Sequence, residues 1–338
     1  MCHSGDVEMS FKGPQIVIIQ DGALSELGSL MKDYSSPICV TDELIHAEYA
    51  DRLETVIGRQ CRWLMASTYR ANTNTVLGKV DIVLGFGGGS SLDVAKLISR
   101  DTGISWISVP TAASHDGIAS EVASVSHNGY KYSEKCKAPL AVIADTSIIS
   151  KAPPRLKLAG LGDIICKTSS LAEWKLAYEA NDEPFNDEVY TIVKKALDSV
   201  LVDDSLETLI SAEIDAGRAM SIFGSSRPCS GTEHAISHAL DRVCAELHGL
   251  QVAFATPICL HYLLETGCTE FKPGYVLNFM SEREMPVTLS EMNINEEQFI
   301  ESIHHGLGIM ERRKRYSVLK HLDVDDTSLR SVMRDLDY

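Results

Sequence analysis

Asp81–Lys96 reads DIVLGFGGGSSLDVAK: a short apolar β-rich run, three consecutive glycines (Gly87, Gly88, Gly89), then a helix-compatible stretch. Glycines at a strand-to-helix junction let the backbone approach a diphosphate, whose charge the free amides and dipole of a helix N-terminus favour. Ser90 and Ser91 can donate to phosphate, and Asp93 can cap the helix or orient the loop. The string is not the strict G-x-G-x-x-G fingerprint, because Ser90 stands where the third glycine belongs, and it lies more than eighty residues into the chain. Alone it signals phosphate binding and not a standard Rossmann half. The bland alternative is a glycine-rich turn without a ligand.

Outward from this stretch, five further β-rich runs alternate with helix-length segments: QIVII from Gln15, PICVTD from Pro37, CRWLMAS from Cys61, WISVP from Trp106 and LAVIAD from Leu140. Strands spaced in this way indicate a parallel α/β sheet of Rossmann-like type. Near Ser150 the texture changes. After Pro153 and Pro154 come long helix-compatible segments such as DIICKTSSLAEWKLAYEA and YTIVKKALDSVL. The expected division is therefore an α/β domain over 1–152 and an all-α domain over 153–338, with a ligand cleft between them.

The chain has 338 residues and a formal net charge of -16, which repels a polyanion, so nucleic acid is not an expected partner. The N-terminus lacks a basic region followed by an apolar core. No apolar run approaches the roughly 18 residues a membrane span needs. A cytoplasmic location is the expectation. Nine cysteines without a C-x-x-C pair suit neither a disulfide framework nor a zinc ribbon.

Two other segments carry chemistry. In Ser108–Ser124, SVPTAASHDGIASEVAS, the hydroxyls of Thr111, Ser114 and Ser120 alternate with Ala112, Ala113 and glycine around His115 and Asp116. Such a loop can come close to a nucleotide or polyol and offer several hydrogen bonds. Asp116 can accept from substrate hydroxyls, or serve only to hold the loop. In Gly231–Gln251, GTEHAISHALDRVCAELHGLQ, His234 and His238 are one helical turn apart and share a face, with Ser230 or Thr232 as candidate caps and His248 nearby. Neutral imidazole is the commonest nitrogen ligand for zinc, although solvated or core histidines would look the same.

GFGGGSSLDVAK, SVPTAASHDGIAS, AGLGDIICKTSSLAEWKLA, SSRPCSGTEHAISHALD and HGLQVAFAT, in that order, resemble the sn-glycerol-1-phosphate dehydrogenases. These belong to the wider group of metal-dependent polyol and iron-containing alcohol dehydrogenases, which includes glycerol dehydrogenase and dehydroquinate synthase. The resemblance implies a dehydroquinate synthase-like architecture and an enzyme that reduces dihydroxyacetone phosphate with NADH or NADPH by metal-assisted hydride transfer. The product would be sn-glycerol-1-phosphate, the backbone of archaeal-type ether lipids. It implies a metal, zinc by preference and ferrous iron by ligand chemistry, held by Asp163, His234 and His248. His238 moves to the substrate side with Asp116. The dinucleotide contacts are then Gly89 to Asp93, Thr111 to Ser114, and Ser120. Asp42, after the strand PICVTD, would accept from the adenosine ribose or cap the following helix. A small-molecule substrate and a homo-oligomeric assembly are the expected partners.

Arg227 is the cation suggested for the substrate phosphate, with a surface ion pair as the alternative, and Arg312–Arg315 read as a solvated helix end. Two departures from the family pattern stand out: Leu250 removes a possible acceptor behind His248, and Cys229 replaces a small residue. They leave room for a polyol or glycerol dehydrogenase with an unphosphorylated substrate. A sugar-phosphate cyclase, which needs clustered Lys and Arg, is the more distant alternative.

Overall fold

The computed structural model describes residues 13–69, 79–127 and 130–338. All six β-rich runs are strands: β1 (Ile16–Gln20), β2 (Pro37–Thr41), β3 (Arg62–Met65), β4 (Ile82–Gly87), β5 (Trp106–Pro110) and, after a hairpin of β6 (Val122–His127) and β7 (Tyr130–Lys135), β8 (Ala141–Asp145). They form one parallel sheet in the order β1-β8-β5-β4-β2-β3, in register Leu84 to Ile107 and Cys39 to Leu84. The antiparallel hairpin β6–β7 stands apart from this sheet and was not anticipated. Its signal in the sequence is the dipeptide Asn128-Gly129 between two β-compatible runs.

Strand side chains point alternately to opposite faces, and both faces of this sheet are covered. Val83, Trp106, Val142 and Ala144 join the large core that continues into the helical half, while Leu84, Phe86, Ile107 and Ile143 pack with α1 (Leu27–Leu30) and α2 (Glu43–Ile57). The α3 helix (Gly89–Thr102) lies against β4, where a side chain on Gly85 would meet the Ala95 Cβ at 2.9 Å. The short α4 (Thr146–Ile149) closes this half.

From Pro154 onward every element is a helix: α5 (Pro154–Ile165), α6 (Lys167–Asn181), α7 (Asp187–Val202), α8 (Leu206–Phe223), α9 (Thr232–Leu240), α10 (His248–Glu265), α11 (Pro273–Ser281), α12 (Glu296–Arg312), α13 (Val318–His321) and α14 (Asp326–Asp335). The segment DIICKTSSLAEWKLAYEA is divided between α5 and α6 at Cys166, which keeps right-handed helical angles, so the two helices meet at a bend. The α/β-then-α order expected from the sequence is the observed one. Among the described residues no helix is long and apolar enough to cross a membrane. Among the described residues eight cysteines are free thiols, six of them buried.

Candidate metal centre and cofactor loops

Two glycines bring the centre together. A Cβ on Gly162 would lie 2.3 Å from the Gly249 carbonyl oxygen, and one on Gly249 would lie 1.9 Å from that of Ala159. Any side chain there would force α5 and α10 apart. Because each glycine precedes or follows a candidate ligand, this contact sets Asp163 on α5 beside His248 on α10.

The Asp163 Oδ1 faces His234 Nε2 at 3.5 Å, and the His234 and His248 rings lie 5.4 Å apart, centroid to centroid. The ring of His238, one turn along α9, is 5.7 Å from that of His248, centroid to centroid. The other nitrogen of His234 is taken: Nδ1 bonds Glu233 Oε1 at 2.9 Å, a carboxylate behind an imidazole that orients the ring and leaves Nε2 as the forward donor. Cys166 also brings its sulfur near, so that Asp163, Cys166 and His234 have donor atoms within 4.8 Å of one another. That sulfur lies 3.9 Å from the occupied Nδ1 and donates to the Asp163 backbone carbonyl at 3.0 Å. Burial pushes its thiol up. The His248 ring stands beside this group, next to that of His234.

Lys167 sits inside this group, fully buried. Its ammonium is 3.4 Å from Asp163 Oδ2 and 3.4 Å from Asp116 Oδ2, and donates to the Cys229 carbonyl at 3.2 Å. Burial opposes ionisation of Asp163, yet Lys167 and His234 outweigh it and hold the carboxyl below the usual range. Asp116 moves the other way, raised by burial and by the Asp163 charge. Burial works against the Lys167 ammonium, but the two carboxylates raise it well above its ordinary value. His248 is lowered well below the ordinary histidine value by burial and by the neighbouring His234 and His238, so its ring is neutral at pH 7.

The glycine loop is tied to the second loop, since the Thr111 amide donates to the Gly87 carbonyl at 3.1 Å. Gly88 caps α3 with no side chain involved, and its carbonyl accepts from the Ser91 and Leu92 amides, so Gly89 and Ser90 are the residues at the open end of the helix. Ser90 is exposed and Ser91 buried against Gly87. His115 accepts from the Gly117 amide through Nδ1 and presses its Nε2 side onto Gly89, 2.4 Å from where a Cβ would be. Asp42 does cap α2, accepting from the Ile45 amide through Oδ1, while its Oδ2 faces Gly87. Asp93 does not cap α3: it holds the Lys96 ammonium at 3.0 Å and the Ser124 amide at 3.1 Å, anchoring the β6 hairpin. Ala112 and Ala113 are buried, Ser114 is half-buried, and Ser120 donates to the Val122 carbonyl at 3.3 Å.

A profile of the iron-containing alcohol dehydrogenases matches residues 18–153. The glycerol-1-phosphate dehydrogenase [NAD(P)+] of Methanosarcina mazei is 36% identical over 331 residues, covering 90% of each chain. That of Methanothermobacter thermautotrophicus is 38% identical over 259 residues, 73% of this chain and 72% of its own. The chain belongs to the glycerol-1-phosphate dehydrogenase family. The solved glycerol dehydrogenase of Schizosaccharomyces pombe has the same fold, with a TM-score of 0.67 at 17% identity over 91% of this chain and 94% of its own.

In this member of the glycerol-1-phosphate dehydrogenase family four local expectations need correction. Neither Ser230 nor Thr232 caps α9: Gly231 is the N-cap, and the Thr232 hydroxyl donates to Glu173 at 2.6 Å. Arg227 is neither at a surface nor open to a phosphate. It is buried, with Glu183 at 2.8 Å and Glu173 at 3.4 Å. Leu250 does not deprive His248 of a partner either, because His248 Nδ1 lies 2.8 Å from the Ser237 hydroxyl. The basic run is mixed: Arg312 and Lys314 are exposed, Arg313 and Arg315 half-buried. Sequence pattern missed Lys167, Glu233 and Ser237. Lys167 follows Asp163 by four residues, so helical spacing carried a signal for it, whereas Glu233 adjoins His234, a spacing that carries none.

Proposed function

We propose that this chain reduces dihydroxyacetone phosphate to sn-glycerol-1-phosphate with NADH or NADPH, around a divalent cation held by Asp163, His234 and His248. The convergence of Asp163 Oδ1 and His234 Nε2 at 3.5 Å, with the His248 ring beside them, carries this reading. One carboxylate and two imidazoles make an open, catalytic donor set that suits zinc and also takes ferrous iron. Zinc is our assignment. When bound, the cation supplies Lewis acidity at the ketone oxygen and the nicotinamide supplies the hydride.

The chain's own residues do the rest. In this reading residues 1–152 bind the dinucleotide and 153–338 the metal and substrate. Gly87, Gly88, Gly89, Ser90 and Ser91 receive the diphosphate at the start of α3. The Thr111–Ser114 loop, tied to Gly87, lines the cofactor with Ser120 behind it, and Asp93 keeps the adjoining hairpin in place. Asp42 turns its unused Oδ2 toward the adenosine ribose. Asp116 accepts from a substrate hydroxyl while Lys167 neutralises it, and His238 holds a terminal hydroxyl or moves the proton that completes reduction. Work in the cytoplasm and a homo-oligomeric state belong to the same reading.

The burial of Arg227 favours a second reading, a glycerol or polyol dehydrogenase, because it removes the cation that sequence offered for the phosphate. Turnover of dihydroxyacetone phosphate against dihydroxyacetone separates the two. We expect the phosphorylated ketone to be preferred; preference for the unphosphorylated one overturns our reading. Net consumption of NADH in the same assay excludes the cyclase alternative.

A further inference from the structure

His248 opens α10, with its Nδ1 2.8 Å from Ser237 Oγ; that hydroxyl lies 2.8 Å from Gln251 Oε1, and the Gln251 amide nitrogen lies 3.2 Å from the Cys244 carbonyl and 3.1 Å from that of Glu246. Ser237 and Gln251 are fully buried. The direction of every bond in this chain follows from its far end. Carbonyls only accept, so the Gln251 NH2 must face them, and a flipped amide would set its oxygen against two others. The Gln251 oxygen therefore faces Ser237 and can only accept. The single Ser237 hydroxyl proton goes to it, which leaves Ser237 Oγ as an acceptor toward His248. Nδ1 must then carry the ring proton, and the neutral ring keeps its lone pair on Nε2.

We infer that Ser237 and Gln251 are positioning residues that select the Nδ1–H tautomer of His248 and so present Nε2 to the cation. This rests on the reading of His248 as a metal ligand. The free histidine ring prefers its proton on Nε2, so without the relay the commoner tautomer blocks the donor. Gln251 thereby supplies, one residue further along, the support whose loss Leu250 suggested.

The test uses the full chain, metal-free, with its histidines labelled with 15N, and reads the ring nitrogens of His248, assigned by comparison with His248→Ala. Wild type should show a protonated Nδ1 and a bare Nε2. Gln251→Leu frees the Ser237 proton to donate into Nδ1, so the pattern should invert, and zinc affinity should fall about 10- to 100-fold. Ser237→Ala should weaken zinc similarly, and Ser237→Thr, which keeps the hydroxyl, should restore it. A bare Nδ1 in wild type overturns the relay whatever the metal does. Wild-type zinc affinity in Gln251→Leu and Ser237→Ala, with loss in His248→Ala, overturns the relay and leaves the ligand reading intact. Undiminished zinc binding by His248→Ala itself overturns the ligand reading and the inference that rests on it.

Discussion

Lys167 is the residue on which the centre's charge balance turns. Its buried ammonium neutralises buried Asp163 and half-buried Asp116, and both contacts are 3.4 Å. Removing one partner of a buried ion pair leaves the others uncompensated, which typically costs about 3–5 kcal/mol. Lys167→Met is therefore expected to lower the stability of the metal-free protein by that order in urea unfolding. The zinc-loaded protein should lose less, because the cation neutralises the same carboxylates. Equal losses in both forms would mean that Lys167 supports the fold and not the site. Sequence pattern could place Asp163, His234 and His248 only through resemblance, because the spacing of the histidines alone favoured His234 with His238. What that spacing could not carry was which ring nitrogen has a free lone pair, a matter of Glu233 and Ser237 at hydrogen-bond distance.

Between elements, the closest approach in the site is that of α5 and α10 through Gly162 and Gly249. Gly249→Ala must displace backbone by more than an ångström, and since His248 is its neighbour, metal content after purification should fall sharply while the far-UV spectrum stays helical. A variant that retains stoichiometric zinc would show that the contact does not govern the ligands. At the other side of the sheet, Asp145 at the end of β8 is fully buried and accepts from the Gly22 and Leu24 amides, both at 3.1 Å, and from Ser147. Burial raises its pKa, but these donors and Arg52 outweigh burial and hold it below the ordinary value. A folded-state pKa below the unfolded one gives stability that is present above about pH 4 and is lost as pH falls through the folded value. Asp145→Asn should therefore cost about 1–3 kcal/mol at pH 7 by leaving those donors poorly matched. The difference from wild type should shrink below about pH 4, and a difference constant from pH 7 to pH 3 would contradict it.

Over the whole molecule, the six strands and the change to helices after Pro153 were readable because hydrophobic period and proline punctuation are local properties. The β6–β7 hairpin was passed over as loop, and the fate of Arg227 depended on Glu173 and Glu183, which lie 54 and 44 residues away in sequence. Distant partners of that kind leave no pattern in a single chain. They also bear on function: with a net charge of -16 and Arg227 committed to an ion network, a phosphorylated substrate must rely on local donors and on the cation itself. The chirality of the product therefore tests the account most directly. Purified enzyme, stripped with a chelator and reloaded with zinc, is given dihydroxyacetone phosphate and NADH or NADPH, and the glycerol phosphate formed is resolved by enantiomer. The account predicts no turnover in the stripped enzyme and, after reloading, formation of sn-glycerol-1-phosphate alone. Full activity without metal, or formation of the mirror-image phosphate, would contradict it.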